Sequence, residues 1–133
     1  MDCFEMVKKA FEIKGIPYEE AGTDTLATNL TNGRMFFVMC VGDELEIGLS
    51  HPNFYKRIDA RRATIAGRKS VSDIEHVEYR GTYGEPVFGT AVKAIDATVP
   101  EIATVLEDML DDLNEAMDRF DRALHLRQET NKI

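Results

Sequence analysis

One stripe near the carboxyl end constrains this chain more than any other feature. Ile102, Val105, Leu106, Met109, Leu110, Leu113, Ala116, Met117, Phe120 and Leu124 recur at three- and four-residue steps, which puts them on one side of a helix. A helix with that much apolar surface is stable only when something covers it, so the rest of the chain must supply a matching face. Its start is written locally. Thr98 with Glu101 forms a capping box, and Pro100 is tolerated in the first turn because its missing N–H would have no partner there. Arg127 lands inside the stripe, so the predicted helix spans 99–126 and residues 128–133 are a frayed tail.

The covering face is a set of strands. A first helix places Cys3, Phe4, Val7, Ala10 and Phe11 on one side and ends before Gly15 and Pro17. Residues 25–31 are rich in β-branched side chains and lead to Asn32-Gly33, the pair that favours a two-residue hairpin turn. That turn pairs Leu30 with Met35, Thr28 with Phe37 and Leu26 with Met39, and these six form the expected core face. Phe36, Val38 and Cys40, with Ala27 and Asn29, then line a second, partly apolar face. Gly42-Asp43 turns the chain into a third strand, where Leu45, Ile47 and Leu49 alternate with Glu44 and Glu46. Phe54, Ile58 and Ile65 predict a helix over 54–66, with Asn53 as its cap and Gly67 as its stop. A second hairpin joins 77–80 to 88–94 through the turn residues 81–86.

The order α-β-β-β-α-β-β-α describes an α+β fold, a mostly antiparallel sheet covered by helices and closed by a long amphipathic helix. The 133 residues make one domain, 1–133, large enough to bury a core without metal or disulfide. Twenty-four acidic residues against sixteen basic ones give a net charge of -8, which argues against nucleic acid or an anionic membrane as a partner. The seven apolar residues Met35 to Val41 fall well short of a membrane span, and the first fifteen residues lack the pattern of a secretory leader. Cys3 and Cys40 sit in apolar contexts without a CxxC spacing, so free thiols and a cytoplasmic setting are expected.

A helix over 99–126 is about 42 Å long, against a diameter of about 36 Å for a compact domain of this size. The stripe nevertheless continues to its end, so something must cover it: the first helix or the N-terminus of the same chain, or, as the favoured expectation, a second copy in a two-fold dimer. The candidate partner or dimer interface is therefore Phe36, Val38 and Cys40 on the second sheet face, with Met117, Phe120 and Leu124 on the helix.

Charge is unevenly spread. Residues 101–121 carry eight acids against Arg119, and residues 56–69 carry six bases against Asp59. The two runs could form an electrostatic recognition surface that orients a partner, but the first reads better as the solvated side of the helix and the second as a stretch paired within the molecule. Asp108, Asp111, Asp112 and Glu115 have metal-compatible spacing but lie opposite the stripe, with no Glu-x-x-His beside them. Asp121 and His125, four apart, specify nothing alone. Gly67-Arg68-Lys69-Ser70 fails the phosphate-loop pattern, and neither cysteine has a neighbouring base to activate it. His76, Glu78 and Arg80 alternate on one strand face, as a wet sheet face does, and would be the polar groups of a small-ligand or enzyme pocket in the alternative reading. No catalytic residue, cofactor or metal is expected.

The stretch Asn32-Gly33-Arg34-Met35-Phe36-Phe37-Val38, the Leu45-Glu46-Ile47 strand and the Val99-Pro100-Glu101 helix start carry a resemblance. This order on a small acidic chain resembles the class I secretion chaperones of type III export systems. It is also similar to the YbjN-like family, described as bacterial sensory-transduction regulators. The resemblance implies a non-enzymatic, often dimeric binding protein without a cofactor, which holds an extended segment of a partner protein.

Overall fold

The computed structural model describes residues 2–51, 60–81 and 85–131; for Ala60 and residues 125–131 only the backbone is described. The elements in chain order are α1 (Cys3–Ile13), β1 (Glu19–Glu20), β2 (Thr25–Asn29), β3 (Met35–Val41), β4 (Glu44–Ser50), α2 (Ala60–Ser70), β5 (Glu78–Tyr79), β6 (Val87–Lys93) and α3 (Val99–Asn131). The six strands form one antiparallel sheet in the order β1-β2-β3-β4-β6-β5. The fold is α+β, with one strand more than the sequence predicts. The missed strand is β1, two exposed glutamates that alternate with nothing.

The helix ends follow their local signals. The Asp2 side chain caps α1 by accepting from the Glu5 N–H at 2.8 Å. At the other end Gly15 takes φ +66°, and the amides of Gly15 and Ile16 donate to the carbonyls of Glu12 and Phe11, which is a Schellman ending. In α3 the predicted capping box forms. The Thr98 N–H and hydroxyl donate to Glu101 Oε1 at 3.2 and 2.8 Å, and the Glu101 N–H returns to Thr98 Oγ1 at 3.3 Å. The backbone of α3 is helical through Asn131.

The first hairpin departs from the predicted register by one residue. The Gly33 N–H donates to the Leu30 carbonyl at 3.1 Å, and the Leu30 N–H donates to the Arg34 carbonyl at 2.8 Å. The loop therefore holds three residues, Thr31, Asn32 and Gly33, with Gly33 at φ +85°. This is a turn followed by a glycine bulge, which needs one residue more than the tight Asn-Gly turn. Because side chains alternate with period two, the extra residue exchanges the faces. Leu26 pairs with Val38 and Thr28 with Phe36. Phe36 and Val38 point into the core at 0% and 1% exposure, while Met35, Phe37 and Met39 turn outward.

All three helices pack on the inner face of the sheet. Phe11 of α1 stacks on Phe36 at 6.2 Å. In α3 Ile102, Leu106, Leu113, Met117, Phe120 and Leu124 are buried against Leu45, Ile47, Leu49 and Phe88. The carboxyl half of the stripe, expected to await a second copy, is covered by its own chain. Tyr79 stacks on Phe120 at 5.8 Å, Phe88 meets the same ring edge-on at 5.8 Å, and α2 lies alongside α3. The premise that Met117, Phe120 and Leu124 remain uncovered is thereby corrected; all three are 3% exposed or less.

α2 also differs from its prediction. Phe54, Ile58 and the Asn53 cap lie outside the described residues, and Ile65 points outward while Ala63 and Ala66 are buried. Gly67 is no stop. It sits inside the helix because the Tyr79 ring occupies the space of a side chain there, and a Cβ would lie 2.3 Å from Tyr79 Cδ1.

Candidate functional site

The outer face of the sheet is the surface on which among the described residues no helix packs. Its centre is β3, which presents Met35, Phe37, Met39 and Val41 in a row. Met39 and Val41 are 36% and 49% exposed, large apolar side chains facing water at neighbouring positions. The Phe37 ring lies flat over Gly48 of β4, where a Cβ would stand 2.2 Å from the ring. Ala27 on β2 pairs with Phe37 and extends the apolar strip sideways. A groove of about 370 Å³ runs beside it, lined by Pro17, Glu19, Ala21, Ala27, Asn29 and Met35. β1 pairs with β2 only at Leu26 and Ala27, so the edge of β2 at Thr28 and Asn29 has no neighbouring strand among the described residues.

The flank of this face is charged. Arg80 lies against Gly89, its Nη1 donating to Glu46 Oε2 at 2.7 Å and its Nε standing 3.8 Å from Glu78 Oε2. Glu44 and Lys93 are partners across β4 and β6. Two residues of the alternative polar pocket, Glu78 and Arg80, thus share a wet sheet flank. His76 does not join them: it precedes β5 at φ +69°, its side chain is 75% exposed, and its partner is Glu75. Among the described residues no group of His, Cys, Asp and Glu is placed to hold a metal ion.

A second polar cluster, which sequence reasoning missed, stands behind the hairpin turn. Arg34 is 5% exposed. Its Nη1 donates to Asn114 Oδ1 at 2.9 Å, and its Nη2 donates to Asp118 Oδ1 at 2.6 Å and to Asp121 Oδ2 at 2.9 Å. Burial pushes the Asp121 carboxyl above the usual aspartate range, and the Arg34 guanidinium pulls it back. Burial likewise holds the His51 imidazole below its ordinary value; the Asp121 charge opposes this and the Arg34 charge adds to it. Asp121 is therefore Arg34's partner, and His125, its predicted neighbour, has no described side chain. Asn114, Asp118 and Asp121 recur at helical spacing along one edge of the stripe, the signal that could have announced a cation from elsewhere. The cluster ties the hairpin to α3.

The acidic side of α3 finds bases in Arg34, in Lys14 through Glu107 at 2.5 Å, and in its own Arg119 through Glu115; Arg119 also binds Asp73, which follows α2. Arg61, Arg62, Arg68 and Lys69 of the basic stretch lie exposed on α2, and residues 56–59 are outside the described part. Of the six predicted interface residues, Phe36, Val38, Met117, Phe120 and Leu124 are buried in their own chain, and Cys40 is half-buried against Cys3. The residues that do face outward are their neighbours in β3, displaced by one position.

No protein-family model matches the chain, and no curated protein sequence matches it. Similarity enters through structure. The chain is similar to YbjN from E. coli, a proposed transcription regulator, with a TM-score of 0.73 over 94% of both chains at 8% identity. The fold is YbjN-like. It is also similar to a chain of the HopA1–SchA chaperone–effector complex, with a TM-score of 0.58, 88% of this chain and 91% of that one covered, and 10% identity. At these identities the YbjN-like, secretion-chaperone-like architecture is what is shared. Across it, the described helices include none long and apolar enough to cross a membrane.

Proposed function

We propose that this chain is a non-enzymatic, cytoplasmic protein-binding module that holds an extended segment of a partner protein on the outer face of its sheet. The observation that carries this reading is the uncovered row Met35, Phe37, Met39 and Val41 beside a groove of about 370 Å³. Neighbouring exposed apolar side chains on a sheet whose opposite face is fully engaged mark a contact surface. Past Ala27 the edge of β2 offers the backbone N–H and C=O of Asn29 to an added segment, with side-chain specificity from the adjacent groove. Glu19 at the groove and Glu44 beyond Val41 favour a segment that alternates apolar residues with basic ones. The likeness to a chain of a chaperone–effector complex supports protein rather than small-molecule binding. The helix end gives no reason for a dimer, so a second copy is the competing occupant of the same outer face.

Selection from a library of extended peptides tests the reading. Winning peptides should carry apolar residues at alternate positions. Their affinity should fall at least tenfold in Met39→Asp, with the melting temperature of the variant measured beside it, because the new carboxylate stands opposite Glu46. Selected peptides that bind Met39→Asp as tightly as the parent would overturn the proposed face. Light scattering that shows a dimer dissociated by Met39→Asp would assign the face to a second copy.

A further inference from the structure

Cys3 opens α1 and Cys40 lies near the end of β3, 37 residues apart in sequence, yet their sulfurs stand 2.8 Å from each other. A covalent S–S bond is about 2.05 Å long, so the two atoms are within about 1 Å of bonding distance. Each is held there for a separate reason. The Asp2 cap fixes the first turn of α1. The backbone of Cys40 is pinned by pairing with Leu45 and by its N–H donating to the Asp24 carbonyl at 2.9 Å. Neither thiol is fully buried, and Cys3 lines a hollow of about 130 Å³ with Met6, Gly42, Asp43, Ile95 and Ile102. The hollow gives a small reagent a path to Cys3.

We propose that Cys3 and Cys40 form a reversible redox site, in which exchange with a low-molecular-weight disulfide joins them and staples the start of α1 to β3. The Cys3 sulfur attacks one sulfur of the reagent, breaking its S–S bond and expelling one thiolate. The Cys40 sulfur then attacks Cys3, breaking the mixed disulfide and expelling the second thiolate. The two cysteine protons pass to the two expelled thiolates, the cysteines are oxidised by two electrons, and the reagent is reduced by the same two. Cys3 is the entry sulfur because it lines the hollow. Burial, with the Cys3 thiol beside it, pushes the Cys40 thiol up to about 12, so Cys40 is the poorer nucleophile toward an outside reagent and attacks only the mixed disulfide held next to it on Cys3. The clamp closes a long loop of chain and so stabilises the folded form.

The test uses the full chain, equilibrated with glutathione buffers of rising oxidised-to-reduced ratio, quenched by acid and alkylation, and cut with trypsin without reductant. The expected product is peptide 1–8 linked to peptide 35–56 within one chain. It should come with a melting temperature raised by about 10 °C and reversed by dithiothreitol. Cys3→Ser and Cys40→Ser should each abolish the link and the shift while melting like the reduced parent. If either serine variant fails to fold, the parent compared oxidised and reduced gives the same answer. Glutathione on Cys3 without an internal link, a disulfide between two chains, or complete alkylation of both thiols at the most oxidising ratio would overturn the proposal.

Discussion

Arg34, the residue that follows the hairpin turn, donates from Nη2 to Asp121 Oδ2 on the last helix at 2.9 Å, across 87 positions of sequence. The bond is one of a set that fixes where the turn sits on α3. Arg34→Ala would leave the half-buried Asp121 carboxylate without its cation. Its expected cost is about 3 kcal/mol, at the low end for broken buried pairs because Asp118 is half exposed. Arg34→Lys keeps the charge but loses the planar fork that reaches three side chains, and should fall between the two. Urea unfolding of the three proteins checks the order; equal midpoints for parent and Arg34→Ala would refute the clamp.

Stability should fall as pH drops through the imidazole range, because of His51. Its folded value lies below the ordinary 6.5, so the unfolded chain binds the proton more readily. The contribution is present above pH 6.5 and is lost as pH falls toward the lowered value, at no more than about 1.4 kcal/mol per pH unit. Asp121 acts with the opposite sign in a more acid window: its raised value makes the folded state take up a proton first, which adds stability as pH falls toward 3.8. Unfolding free energies at pH 7.5 and 5.5 should differ less for His51→Gln than for the parent.

Gly67→Ala should destabilise the protein although alanine favours a helix by about 1 kcal/mol. The added Cβ meets the Tyr79 ring, which is packed between Phe88 and Phe120 and has little room to retreat. A net loss of about 2 kcal/mol is expected. In a Tyr79→Ala background the same change should become neutral or stabilising, and a double-mutant cycle measures the difference.

Phe120→Ala should cost about 4 kcal/mol and leave the solution mass unaltered. The ring is wholly enclosed by Tyr79, Phe88 and neighbouring core side chains of its own chain. Denaturant unfolding paired with light scattering separates a core role from an interface role; a change of mass would restore the dimer interface placed there by the sequence.

The sequence announced what depends on local chemistry. The Thr98–Glu101 box, the glycine ending of α1 and the stripe of α3 each involve residues within one or two turns, and each stands where predicted. What it concealed depends on distant partners. Tyr79 and Phe88 cover Phe120 from about 30 to 40 positions away, and nothing in the stripe says so. Arg34 finds its acids only once the hairpin lies on α3. The candidate site suffered most. Phe36 and Val38 were assigned the outer face when Phe37 and Met39 hold it, because Asn32-Gly33 serves two kinds of turn that differ by one residue.

That small difference has a thermodynamic consequence. From Met35 to Cys40 every side chain is apolar, so the pattern of hydrophobic residues barely discriminates between two alignments of the strand. The native basin is set apart from its nearest competitor by the geometry around Gly33 and by the interlocking of Phe36 with Phe11. A hairpin of this kind folds on a landscape with a shallow rival minimum, and shortening its loop by one residue would tilt the balance toward that rival.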